Sequence, residues 1–129
     1  MEHKMSINLN RPIVPAIAIE MISGRTRLIG IPKEKIQVVI TLPDINEFNK
    51  ELNEAIEFFK HRADSFIITS SNKEECNEVI DKFDLNEHLI SNEHRDFSKI
   101  FKMRDETRRL KKSLMIIDTN CQITHKDVL

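Results

Sequence analysis

Cysteine carries the most reactive side chain at neutral pH, and this sequence has two, Cys76 and Cys121. A thiol attacks peroxides or disulfides when a helix N-terminus or a neighbouring cation stabilises its thiolate. Cys76 falls in an apolar stripe with Val79, Ile80 and Phe83, where a free cysteine packs as a small hydrophobe. Cys121 follows the turn Asp118-Thr119-Asn120 and is expected to be the more exposed thiol, open to oxidation or to cross-linking two chains. The two form no CxxC motif and no secreted-type disulfide framework. The histidines, His3, His61, His88, His94 and His125, make no HxH or HExxH pattern and no ligand spacing with a cysteine, so no metal is expected. Neither a Gly-rich phosphate loop nor a GxSxG elbow is present, and no cofactor is expected.

Residues 99–112 hold Lys99, Lys102, Arg104, Arg108, Arg109, Lys111 and Lys112 against only Asp105 and Glu106. Such a run binds an acidic partner or nucleic acid, or it is simply a solvated loop. Few aromatics accompany it, which favours the loop. Overall, 20 Lys and Arg face 21 Asp and Glu, a formal net charge of -1, so there is no global pull toward nucleic acid or an anionic membrane.

The elements that position these groups follow from periodicity. The 129 residues suit about one domain, read as a tail over 1–12 and a single domain over 13–129. Residues 13–20 read as an edge strand because Pro15 lacks an N–H, and 26–31 as its return strand. Ile36 to Thr41 is the strongest strand, β-branched and apolar as a central strand must be. Asp44 then caps a helix, with Glu47 completing a capping-box pattern and Ile45, Phe48, Leu52, Ala55, Ile56 and Phe59 forming its stripe. Ser65 to Thr69 is a second buried strand, followed by a helix capped by Ser71 with Glu74. A short strand at 88–90, a helix around Phe97, Ile100 and Phe101, a charged loop over 102–112, a strand over 113–118 and a hairpin partner over 121–128 complete the chain. Strands alternating with helices and a closing hairpin imply an α/β fold with a mixed central sheet flanked by helices, and β-hairpins at both ends. Met1 to Met5 is polar and the apolar run Ile13 to Ile19 is broken by Pro15, so no signal peptide or membrane span is read and a cytoplasmic location is expected.

This order resembles the thioredoxin fold in its peroxiredoxin form, and local sequence resembles the thiol-peroxidase type. Thr41 to Ala55 looks like the family's Thr-x-x-Cys turn and the helix it opens. Leu89 to Phe101 looks like its Ser-Asp-x-Arg-x-Phe segment, and Leu110 to Leu129 like its terminal hairpin. The resemblance covers residues 13–129. It implies a peroxide-reducing thiolate at a helix N-terminus, held ionised by the helix dipole, a threonine hydroxyl and an arginine. Thr41 matches the threonine and Lys112 stands at the arginine position. Asp44 stands at the cysteine position if the helix sets the alignment, and if the strand sets it the cysteine loop has been shortened around Pro43, so that either way no cysteine is present. The resolving cysteine falls nearest Ile80, and the family's C-terminal helix has no counterpart before Leu129.

The expectation is therefore a peroxiredoxin-like protein without peroxidase activity that acts through binding or assembly. At Thr41 and Asp44 a leftover pocket for a small polar ligand competes with an ordinary helix cap. One alternative is a residual thiol-dependent peroxidase using Cys76 or Cys121. Another is a polyanion-binding module using Arg104, Arg108, Arg109, Lys111 and Lys112. The strand 113–118 is apolar at nearly every position and so asks for cover on both faces, and a missing helix would leave one open. A homodimer or a protein partner on that face is the expected consequence.

Overall fold

The computed structural model describes residues 14–129. The expected tail over 1–12, and Ile13 of the expected first strand, lie outside the described residues. In chain order, the chain forms strands β1 (Ile17–Glu20), β2 (Thr26–Ile29) and β3 (Ile36–Leu42), a 3-10 turn (Ile45–Glu47), helix α1 (Lys50–Phe59) and strand β4 (Ala63–Thr69). Helix α2 (Lys73–Phe83), β5 (Ile90–Ser91), α3 (His94–Ile100), β6 (Ser113–Ile117) and β7 (Ile123–Val128) follow. The five-stranded sheet runs β5-β4-β3-β6-β7. β4 is parallel to β3 and to β5, β6 is antiparallel to β3 and to β7, and the sheet is mixed as expected.

The first hairpin forms as expected but stands apart from the five-stranded sheet. β1 pairs only with β2, and its alternation of buried Ile17 and Ile19 with exposed Ala18 and Glu20 lays it across a sheet face. Val14 N–H donates to the Cys121 carbonyl at 2.9 Å, fixing the approach of the chain. Gly30 ends the hairpin at φ +85°, and a Cβ there would run into the Pro15 carbonyl oxygen. Its N–H donates to Oε1 of the buried Gln37 at 3.0 Å, while Gln37 Nε2 donates to the Ile31 carbonyl at 2.9 Å. Both ends of that buried amide are thus satisfied.

Alternation along β3, β4 and β6 divides the apolar side chains into two cores. Val39, Phe66, Ile68, Met115 and Ile117 face the hairpin and α3. Ile40, Leu42 and Ile67 face α2 and the 3-10 turn. The second core includes Ile45 and Phe48, and the Phe48 ring meets Phe83 edge-on at 5.0 Å.

Both expected helix starts move. The chain does not enter a helix at Asp44: it makes the 3-10 turn, and Phe48 returns to extended backbone (φ -62°, ψ 131°). That break drives Ile45 and Phe48 into the core, and the helix restarts at Asn49, whose side chain accepts from Leu52 N–H at 2.8 Å. No residue of α1 is fully buried, and Phe59, expected in its core stripe, stays 47% exposed. The next helix is capped by Asn72 with Glu75 rather than by Ser71 with Glu74. Ser71 is unavailable because its hydroxyl already accepts from Ile45 N–H at 2.9 Å.

Candidate functional site

The end of β3 and the turn after it form the place where strand order reverses between β4 and β6, the usual location for a site in an open α/β sheet. Thr41 is fully buried there. Its hydroxyl donates to the Lys111 carbonyl at 2.6 Å, so its contact with Ser113 Oγ at 2.5 Å has Ser113 as donor. Thr41 thus ties β3 to the segment entering β6, with its only proton committed.

The backbone donors of the turn are committed as well. Ile45 N–H goes to Ser71, Asn46 N–H to Asp44 Oδ1 at 3.0 Å, Glu47 N–H to the Asp44 carbonyl, and Phe48 N–H to the Ile45 carbonyl. The Pro43 carbonyl accepts from Ser70 Oγ at 2.7 Å. Thr69, Ser70 and Ser71 therefore clamp the turn from the end of β4. Sequence reading overlooked this clamp, although three hydroxyls in a row after an apolar strand were its signal. An incoming anion would find no free N–H from Ile45 through Phe48 and would meet the Asp44 carboxylate first.

Lys112 lies beside this turn. Its Nζ is 3.0 Å from Glu47 Oε1, a half-exposed ion pair. The remaining basic candidates do not converge on it. Arg108 and Arg109 line a cleft of about 570 Å³ with Asp44, His94, Asp105 and Ser70. Arg104 and Lys111 line a separate cleft with Asp105, Glu106 and Thr107. The loop turns back on itself through a bridge between Arg104 and Leu110, with Arg108 at φ +65°. That hairpin divides the basic residues between two adjoining clefts, each of which also holds Asp105.

Within the Arg108–Arg109 cleft no side chain hydrogen-bonds to another across the gap. Asp44 bonds to Asn46, Asp105 to Thr107 and the Arg109 N–H, and His94 Nδ1 lies 3.3 Å from the Asn92 carbonyl. The Thr107 hydroxyl, together with the Arg109 and Thr107 backbone, holds the Asp105 carboxyl below its usual range. Burial, helped by Arg95, lowers His94 against the opposing pull of Glu93. Two carboxylates offset two guanidiniums, so the cleft has no net charge with which to focus an anion.

The thiols lie elsewhere, on opposite sides of the sheet. Cys76 packs with Ile40, Ile67 and Val79, and burial followed by the neighbouring Glu75 pushes its thiol up to about 11. Cys121 is buried with Val14 and Ile117, contrary to its expected exposure. Its backbone sits at φ +63° inside the β6–β7 turn, with its N–H bonded to the Asp118 carbonyl, and this turns the side chain inward. Burial and Asp118 raise its thiol, partly offset by Lys33. Cys121 lies away from the β3 turn, whereas Cys76 shares the core beneath it with Ile45 and Phe48 as a fully buried thiol, and the sheet keeps the two cysteines apart. Among the described residues no group of three or more His, Cys, Asp or Glu is placed to hold a metal ion. No helix among them is long and apolar enough to cross a membrane.

This architecture is the thioredoxin fold, which it shares with solved peroxiredoxins, thiol peroxidases and thioredoxin-family proteins. The structure is similar to a peroxiredoxin-like protein from Aquifex aeolicus, with a TM-score of 0.76 and 16% identity over 92% of this chain and 75% of that one. It is similar to a thiol peroxidase from Chromobacterium violaceum, with a TM-score of 0.67 and 12% identity over 92% of this chain and 75% of that one. A thioredoxin-family thiol:disulfide interchange protein from Chlorobium tepidum matches with a TM-score of 0.70 and 8% identity over 90% of this chain and 84% of that one. No protein-family model and no curated protein sequence matches the chain.

Proposed function

We propose that this chain is a peroxiredoxin-like protein that has no peroxidase activity and works by binding or assembly. The observation that supports this most directly is the β3 turn, where every backbone N–H from Ile45 through Phe48 is bonded internally and no cysteine is present. A thiolate there would draw on those donors and on the Thr41 hydroxyl, and all of them are already committed, the N–H groups within the turn or to Ser71 and the hydroxyl to the Lys111 carbonyl. The residual-thiol alternative is weakened by the burial and raised pKa of both cysteines, because the thiolate is the nucleophile. The polyanion alternative is weakened by the split of the basic loop between two clefts. Two buried free thiols fit a reducing cytoplasm.

The test is peroxide consumption with a thiol reductant, comparing wild type with the Cys76→Ala, Cys121→Ala double variant. Alanine is chosen because serine would bury an unpaired hydroxyl at both sites. Both proteins should match the free-thiol background. Turnover by the wild type that disappears in the variant would sink the reading.

A further inference from the structure

The sheet face beneath α1 is unfinished. Its floor, made by Ile36, Val38 and Ile40 of β3 with Leu114 and Ile116 of β6, opens into an apolar groove of about 290 Å³ walled by α1. At the β4 end of the groove the wall finishes in Phe58 and Phe59, which are 76% and 47% exposed and meet edge-on. Toward the other end, Leu129 is 72% exposed beside Ile40, Leu52 and Leu114. Apolar surface of this kind, continuous and rimmed by polar groups, marks an interface.

We propose that a second copy of the chain covers this face, related to the first by a two-fold axis. The proposal deepens the assembly half of the function proposed above and rests on it. Charge selects the occupant. Arg62 lines the groove at the end where Ala63 pairs with Ile36, and its guanidinium has no partner among the described residues. Asp127 sits on β7 across the ladder from Leu114, which pairs with Ile40, so it lies on the same face toward the opposite end. Its carboxylate also has no partner among the described residues. A two-fold axis through the face sets the Arg62 end of one copy against the Asp127 end of the other, and does so twice. The protruding Phe58 and Phe59 of each copy then meet the open apolar surface of its mate. A small amphipathic acid would use the groove and Arg62 but would leave Asp127 without a role.

Sedimentation equilibrium of the full chain over a range of concentrations tests this. The wild type should dimerise. Reversing either charge alone, Arg62→Asp or Asp127→Arg, should weaken the dimer about tenfold, and combining the two should restore it to within about twofold. Both positions are exposed, so the variants test the contact and not the fold. A wild type that is monomeric throughout overturns the proposal, as does a dimer indifferent to both reversals or one the double variant fails to rescue. Binding of decanoate to a monomer that depends on Arg62 and not on Asp127 overturns it in favour of a small-molecule site. These outcomes are independent of the peroxide assay: a monomer without turnover removes the dimer alone, and a dimer with cysteine-dependent turnover removes the loss of catalysis alone.

Discussion

The two faces of the sheet are made from the same strands and finished differently. On one, Val39, Phe66 and Ile117 are fully buried beneath the hairpin and α3, and Met115 is 1% exposed. On the other, Ile36, Val38, Leu114 and Ile116 remain half-buried, although they alternate with those residues along the same strands. Strand chemistry does not distinguish the faces, since β-branched residues suit either. The difference lies in the covering elements. The hairpin is pinned by Gly30, Gln37 and the Val14–Cys121 bond, and by Arg27, which donates to the Ser65 and His88 carbonyls and stacks 3.8 Å from the Phe66 ring centroid. α1 has no buried residue, because the turn before it hands Ile45 and Phe48 to α2 and leaves α1 to stand over a gap. A fold can be complete as a scaffold on one face while the other is left for a partner.

The sharpest way to break this contrast is a pair of truncations in neighbouring rows. Phe66→Ala on the sealed face should cost about 3–5 kcal/mol, as expected for removing a fully buried ring from a packed core. Ile116→Ala on the open face should cost about 1 kcal/mol, because much of that side chain is in water already when the chain is a monomer. Urea denaturation below the dimer concentration range reads both. Equal losses would mean that the two faces are packed alike and that the groove is filled.

A smaller effect comes from the cysteines, one on each face. The Cys76 thiol is raised to about 11 in the folded protein, so the native state holds its proton at a pH where the unfolded chain has released it. The stabilisation is fully present below the ordinary thiol value. It fades as pH rises from about 8.5 toward about 11, with a slope of at most about 1.4 kcal/mol per pH unit. Cys76→Ala should remove the contribution this residue makes to alkaline destabilisation, as measured by denaturation across that range. The same burial predicts slow alkylation of the native protein at neutral pH. An alkaline slope unchanged by the substitution would show that the thiol sees water from the open face.

Much of this was legible in the sequence. Ile36 to Thr41 announced a central strand by composition alone, and the mixed sheet with hairpins at both ends followed from element order. What escaped was cooperative. Asp44 looked like a helix cap because a capping box is a local pattern, whereas the 3-10 turn depends on Ser71 accepting from Ile45 across 26 residues of separation. Ser71 could not cap α2 for the same reason. Cys121 looked exposed because turns are exposed on average, and only its left-handed backbone turns it into the core. The basic run could be counted but not placed, since the hairpin closed by the Arg104–Leu110 bridge divides it between two clefts.

The finest test concerns α2, the one helix that packs firmly on the otherwise open face. Its C-cap, Asp84, is left-handed (φ 54°, ψ 50°), and Leu85 N–H closes the end onto the Ile80 carbonyl at 2.9 Å. A left-handed residue with a side chain costs roughly 1–2 kcal/mol, less for aspartate, and a carboxylate at a helix C-terminus opposes the helix dipole. Asp84→Gly removes both costs and loses part of the gain to the freer unfolded chain, leaving about 0.5–1 kcal/mol of stabilisation. Asp84→Asn removes the charge but keeps a side chain at the left-handed position, so it should gain less than glycine. If the gap between the faces lies in α1 alone, the glycine variant should raise the denaturation midpoint and leave the dimer constant unchanged. A shift in the dimer constant would extend the unfinished region from α1 to the helix beside it.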